Sequence, residues 1–325
     1  MSPVHDAITT TSGNDLVTTR VAVVGSINMD LVARCDGLPR PGQTVHAVSF
    51  SQLPGGKGAN QAVAAARLGA RCTFIGRVGD DSYGRQLTET LKQYGVHTAA
   101  VTVTPGTSSG LAWINVEQSG ENAITIVAGS NGHLTRDDVQ CNQTLIQSAN
   151  VLIVQLEVPL EAVTAALHTA TAAGVLTVLD PAPAPADNLP DELYQVDVMT
   201  PNQIEAESLT GVPVRDVGSA VRACHLLRER GVRRPIITLG ADGAVFLDEW
   251  TKTPRHTVPP RVDVIDTTAA GDAFTAGLAC RFAGGSTLAA AVRFGCAAGA
   301  LATTTLGAQN AMPAWHDVIE GENSN

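Results

Sequence analysis

From Thr135 onward the sequence alternates short apolar runs with longer segments of helical spacing, and this pattern constrains the fold most. Val151–Val154 is apolar at every position and Val175–Leu179 at all but one. Strands buried on both faces read this way, as in a parallel sheet covered by helices. The intervening helices are expected from Thr135 to about Ser148 and over Pro159–Ala173, with a Pro-rich loop at Pro181–Pro190. Earlier, Arg20–Gly25 and Cys72–Val78 read as further strands, and Ser82–Gln93 as a helix ended by Gly95. Later come a strand at Pro235–Leu239, antiparallel-looking strands at Ala244–Leu247 and Arg255–Val258, and closing helices at Gly271–Phe282 and Leu288–Thr303. The expected class is α/β: a doubly wound, mostly parallel sheet flanked by helices.

One region breaks the alternation. Residues 31–53 have no helical period, and Gly110–Val116 with Ala123–Val127 form a hairpin pattern around residues 118–122. They predict a small inserted β-sheet, with strands from about 31–53 and 98–128, serving as a lid or as an edge sheet for dimerisation. Residues 1–19, rich in Thr, Ser and Asp, read as a flexible N-terminal tail rather than a secretory signal. Residues 20–320 read as one domain. Acidic residues outnumber basic ones, 31 to 21, which argues against nucleic acid as the main partner; a small anion needs only a local site. No apolar run reaches the roughly 18 residues that span a bilayer, so no membrane partner and a cytoplasmic location are expected. Six scattered cysteines without a CxxC pair suit buried thiols in a reducing compartment.

Three stretches carry chemistry. Asp266-Thr267-Thr268-Ala269-Ala270-Gly271-Asp272 leads into a helix whose first-turn N–H groups lack intrahelical partners and attract an anion. Asp272 there is a helix-end charge or a base. Pro54-Gly55-Gly56-Lys57-Gly58-Ala59-Asn60-Gln61 opens a small-residue helix expected over Ala62–Leu68. Its glycines let backbone approach a polar ligand, and Lys57 and Asn60 lie one helical turn apart. The spacing is not that of a Walker A loop, nor does Gly25 begin a dinucleotide-binding G-x-G-x-x-G. Asn28 and Asp30, two apart, share a face in extended backbone at the end of a strand; an Asx turn is the alternative. Glu157 lies just past another strand, facing ligand or capping the next helix. Asn202 and Glu205 fit a capping box as well as a metal or phosphate site.

Together these motifs resemble the ribokinase branch of the carbohydrate/purine kinase family, from about Val21 to Pro313. Pro181-Ala182-Pro183-Ala184, Thr200-Pro201-Asn202 and Gly307-Ala308-Gln309 match it in order and spacing. The resemblance implies a ribokinase-like kinase domain and ATP-dependent phosphorylation of D-ribose at its 5-hydroxyl. It implies that Asp272 is the base and that the amides of Ala269, Ala270 and Gly271 form the anion hole. Asn28, Asp30, Gly55, Gly56, Lys57, Asn60 and Glu157 would hold the sugar. Asn202, Thr238, Gly240, Gly271 and Cys296 would meet ATP, with Asn202 and Glu205 acting on Mg²⁺ through water. A potassium ion would be held by Asp266, Thr268, Thr303, Leu306 and Ala308, with Ala311 where some relatives carry Ser. A homodimer through the lid strands is expected. Kinases of 2-deoxyribose, fructose or a nucleoside, and a non-catalytic sugar-binding regulator, are the competing readings.

Overall fold

The computed structural model describes residues 19–323 except 118, 120, 185–188, 249 and 251. The N-terminal tail and parts of the hairpin turn and Pro-rich loop expected from sequence lie outside the described residues. In chain order the first half comprises β1 (Arg20–Val24), β2 (Asn28–Cys35), β3 (Ala47–Gly55), α1 (Lys57–Arg67), β4 (Arg71–Gly79), α2 (Ser82–Gln93), β5 (His97–Thr104), β6 (Gly110–Glu117) and β7 (Asn122–Val127). There follow α3 (Arg136–Cys141), α4 (Gln143–Gln147), β8 (Val151–Val154), α5 (Leu160–Ala172), β9 (Leu176–Leu179), β10 (Val198–Met199), α6 (Gln203–Thr210) and α7 (Val217–Glu229). The chain closes with β11 (Arg234–Thr238), β12 (Ala244–Leu247), β13 (Pro254–Thr257), α8 (Ala270–Ala283), α9 (Leu288–Ala302) and α10 (Trp315–Asn323).

A nine-stranded sheet in the order β13-β12-β11-β10-β9-β8-β1-β4-β5 forms the body. It is parallel from β11 to β5 and antiparallel at the β12–β13 end. Its central strands are almost wholly apolar because both faces carry helices: β8 buries every side chain and β1 all but that of Arg20. The core is therefore split by the sheet. Alternate residues of β1, Val21 and Val23, pack with α1, α8 and α9, whereas Ala22 and Val24 pack with α5 and α7. Helix α9 closes on α8 through small residues, and a Cβ at Gly295 would stand 2.9 Å from the Phe274 carbonyl oxygen.

The second sheet has the order β3-β2-β6-β7. Its limits differ from those expected in two ways, and one helix differs as well. Strand β2 starts at Asn28, so the Asn28/Asp30 pair belongs to the small sheet and not to the end of a body strand. Strand β5 pairs in parallel with β4 and is the edge of the large sheet, so residues 98–104 are not lid. The cause is that alternating polarity is the same whichever neighbour an edge strand pairs with. The segment from Thr135 to Ser148 is two short helices, interrupted at Asn142, whose side chain donates to the Asp138 carbonyl. An Asn side chain that bonds nearby backbone competes with helix continuation.

Candidate active site

The sites foreseen from sequence converge where the small sheet meets the carboxyl ends of β1, β8 and β9. Helix α1 begins at Lys57, five residues earlier than expected, with Gly56 at its N-cap in the left-handed region (φ 88°). A Cβ on Gly56 would lie 2.7 Å from the Asn28 amide nitrogen, and one on Gly55 would lie 2.2 Å from an Asp30 carboxylate oxygen. The paired glycines thus let the loop press against β2, bringing Asp30 and Asn28 beside the start of α1.

Asn28 is buried, and its Oδ1 accepts from Asn131 Nδ2 at 2.7 Å. Asp30 lies opposite Ala112, which in turn lies opposite the half-exposed Ile126, so an apolar wall shares the face that carries the two polar groups. Glu157 does not cap α5. Its Oε2 accepts from Ser26 Oγ at 2.5 Å and from the Lys57 amide at 3.2 Å, which pins the start of α1.

Asp272 is buried in the first turn of α8 and bonds α1 directly. Its Oδ2 accepts from Asn60 Nδ2 at 2.9 Å and its Oδ1 from Gln61 Nε2 at 3.0 Å. Gln61 Nε2 also donates to Asp180 Oδ2 at 2.7 Å. Burial raises the proton affinity of Asp272, opposed by Lys57 and by the Asn60 bond. Burial likewise pushes Asp180 well above the usual carboxylate range. Asp30 rises to about 7, through burial first and then the charges of Glu157 and Asp272. The cation in their midst is Lys57: burial disfavours its charge, but Asp180, Asp272, Glu157 and Glu205 outweigh that and hold it protonated.

Ahead of Asp272 the backbone turns sharply. Ala269 is left-handed (φ 60°), a conformation that strains an L-residue, and the Ala270 amide bonds back to the Thr267 carbonyl. A Cβ on Gly271 would meet nothing within 4 Å, so this turn opens onto space. That space is a cleft of about 1090 Å³, lined by Asn202, Thr238, Gly240, Ala270, Gly271, Cys296 and Thr303 among others. Cys296 is buried at its wall, and burial pushes its thiol up to about 12.

Asn202 and Glu205 make the full capping box of α6, each side chain accepting from the other's backbone. Glu205 is nevertheless buried: burial raises its proton affinity, while the Asn202 amide and the charge of Lys57 lower it. Asp266 joins the two loops behind the turn. Its Oδ1 accepts from the Thr268 amide and hydroxyl, and its Oδ2 from the Gly307 amide at 2.8 Å. Those bonds keep it ionised to lower pH than usual, although burial opposes them. The Thr303 carbonyl accepts from the amides of Ile265 and Asp266, that of Leu306 from Asn310 Nδ2, and that of Ala308 from the Ala311 amide.

Sequence reasoning missed Gln61 as a contact of Asp272, and missed Asp180, Gln155, Asn131 and Ser26 altogether. A signal existed for Asp180: it directly follows β9, as Glu157 follows shortly after β8, where open α/β sheets bind ligands.

Asp272 thus stands between the side-chain amides of α1 and an open helix turn that borders the cleft. The chain belongs to the pfkB family of carbohydrate kinases, whose pattern it matches over residues 18–315. It is 40% identical to the ribokinase of Haemophilus influenzae, across 92% of this chain and 97% of that one. The structure of Arabidopsis thaliana ribokinase complexed with ribose and ATP covers 95% of this chain, with TM-score 0.88 and 30% identity, all of that chain being matched. A deoxyribokinase of Salmonella typhimurium is 34% identical across 90% of this chain and 95% of its own. This protein is a sugar kinase. Among the described residues no helix is long and apolar enough to cross a membrane.

Proposed function

We propose that this enzyme transfers the γ-phosphoryl group of ATP to the 5-hydroxyl of D-ribose, yielding D-ribose 5-phosphate and ADP. The observation that carries the reading is the Asn60–Asp272 hydrogen bond, which ties the sugar loop to the base beside the anion-binding turn. Asn28, Asp30, Lys57, Asn60 and Glu157 offer both donors and acceptors, as hydroxyls that do both require. With the sugar so held, Asp272 takes the proton of the 5-hydroxyl as its oxygen bonds to the γ-phosphorus and the bond to the β-phosphate oxygen breaks. The amides of Ala269 and Gly271, and that of Ala270 once it leaves the Thr267 carbonyl, receive the charge on the transferring group. A base of raised proton affinity suits this, because proton transfer is most effective when the base titrates nearer the working pH.

Thr238 and Gly240 line the nucleotide side of the cleft. Glu205 with Asn202 suits Mg²⁺ held through water: one buried carboxylate is present, and among the described residues no cluster of three acidic, His or Cys side chains forms a protein cage. Mg²⁺ supplies neutralisation of phosphate charge. A potassium ion suits the oxygen-rich pair of loops at Asp266, Thr268, Leu306, Ala308 and Ala311. Thr303 suits it least, because its carbonyl already accepts two amides. A homodimer through the small sheet is consistent with half-exposed Phe50 and Trp113, whose rings lie 6.4 Å apart on its surface.

ADP release measured with a sugar panel, MgATP and KCl tests the proposal. Ribose should exceed 2-deoxyribose in kcat/KM by roughly tenfold or more, because a site built to bond a hydroxyl is left with unpaired groups when it is missing. A ratio near one would sink the assignment to ribose.

A further inference from the structure

Gln61 is fully buried and its carboxamide is used at both ends. Its Nε2 donates to Asp272 Oδ1 (3.0 Å) and to Asp180 Oδ2 (2.7 Å), while its Oε1 accepts from Gln155 Nε2 at 2.5 Å. The two ends of a carboxamide are not equivalent. Flipped, it would aim an acceptor at two carboxylates, and Gln155 opposes that flip by claiming the oxygen. Gln155 is itself enclosed: a Cβ on Gly25 would stand 1.9 Å from its Oε1, so the glycine that closes β1 makes room for it. That Oε1 is buried without a hydrogen-bond partner, a cost that leaves the Gln61 contact as the polar bond holding this side chain.

We propose that Gln61, locked by Gln155, is a positioning residue for Asp272: it fixes the carboxylate's orientation and holds it ionised. This rests on Asp272 being the base. With Asn60 donating to Oδ2 and Gln61 to Oδ1, each oxygen spends one lone pair on an amide, and rotation about the Cβ–Cγ bond would break both contacts. Asp180 keeps the amide in place from behind, so the donor cannot follow Asp272 if it turns. The charges and protons facing Asp272 are those of Lys57 and Asn60 from α1, Glu157 beyond β8, Asp180 beyond β9, Glu205 on α6 and Asp30 on β2. Lys57 and the Asn60 and Gln61 amides favour the ionised base against burial and the surrounding carboxylates.

The test compares Gln61→Leu, Gln155→Leu and the double variant with wild type, recording kcat and sugar KM from pH 5.5 to 9 alongside thermal unfolding. Gln61→Leu should move the acid limb of kcat upward by about one pH unit and lower kcat roughly tenfold at neutral pH, with sugar KM within about threefold. Gln155→Leu should move the limb in the same direction by less. The double variant should fall within about twofold of Gln61→Leu, as members of one unit do. An unshifted limb in Gln61→Leu overturns the proposal. If that variant does not fold, the limb of Gln155→Leu decides instead, and an unshifted one overturns it. A wild type that releases no ADP with any sugar overturns the kinase reading on which the proposal rests, a result distinct from either.

Discussion

Asp272 is one carboxylate with two environments: amides from α1 on its inner side and an open helix turn on its outer side. Asp272→Asn should bind ribose about as well as wild type by calorimetry and lose roughly 10²-fold or more in kcat. A variant of near-wild-type turnover would reduce Asp272 to a helix-end charge. Asp30 makes a second residue-scale prediction. Its folded-state proton affinity is raised to about 7, so its ionised form is disfavoured by folding, and the penalty grows as pH rises from about 4 to 7. Asp30→Asn should therefore raise the melting temperature of the sugar-free protein at pH 8, leave it nearly unchanged at pH 5, and weaken ribose binding at both. Such single side chains were partly legible in the sequence. Asp272, Asn60 and Lys57 stood in short ordered motifs, whereas Asp180 meets Gln61 across 119 positions. No local spacing encodes a contact of that kind.

At the scale of elements, the loop from Gly55 to Lys57 and the turn from Asp266 to Ala270 depend on backbone shapes that few residues adopt. Gly56→Ala would require a left-handed alanine and a Cβ 2.7 Å from the Asn28 amide nitrogen, displacing β2 from the start of α1. Loss of ribose affinity by roughly tenfold and a fall of a few degrees in melting temperature are expected. Unaltered sugar KM in that variant would show that the loop does not shape the pocket. Element types followed from sequence where burial writes a strong pattern, as in β8, β9, α2 and the α8–α9 pair. They were lost where partners decide: β5 alternates like a lid strand but completes the large sheet, and the early start of α1 is hidden because glycine is a poor helix former.

For the molecule as a whole, four buried carboxylates have raised proton affinity (Asp30, Asp180, Glu205 and Asp272), and three of them, all but Asp30, act on Lys57. The folded state thus holds protons that the unfolded chain releases, and stability falls as pH rises above about 4. Carboxylates of lowered affinity, such as Asp81 and Asp138, have given their full contribution by then. Thermal unfolding without ligand should show a lower melting temperature at pH 8 than at pH 5.5. A rise across that interval would mean that these groups do not share a buried site. Replacing K⁺ by Na⁺ should lower turnover if the Asp266 loops bind potassium; an equal rate removes the cation from the mechanism.

Only Gly25, Ser26 and Ile27 separate β1 of the body from β2 of the small sheet. Ile27 is held at both its N–H and its carbonyl by Asn131, and Ser26 is bonded by its carbonyl to the Ala59 amide. Any swing of the small sheet must turn at this junction and at Gly56, which alone joins β3 to α1. Asn28 sits on the pivot, while Asp30 lies about 7 Å further along the strand and sweeps the wider arc. If Asn28 and Asp30 hold the sugar as proposed, a departing sugar phosphate would peel away from the Asp30 side first and remain tethered at Asn28. Its residence time would then follow the stiffness of a three-residue hinge, and cutting the Asn131 bonds would hasten exit while leaving the chemical step alone.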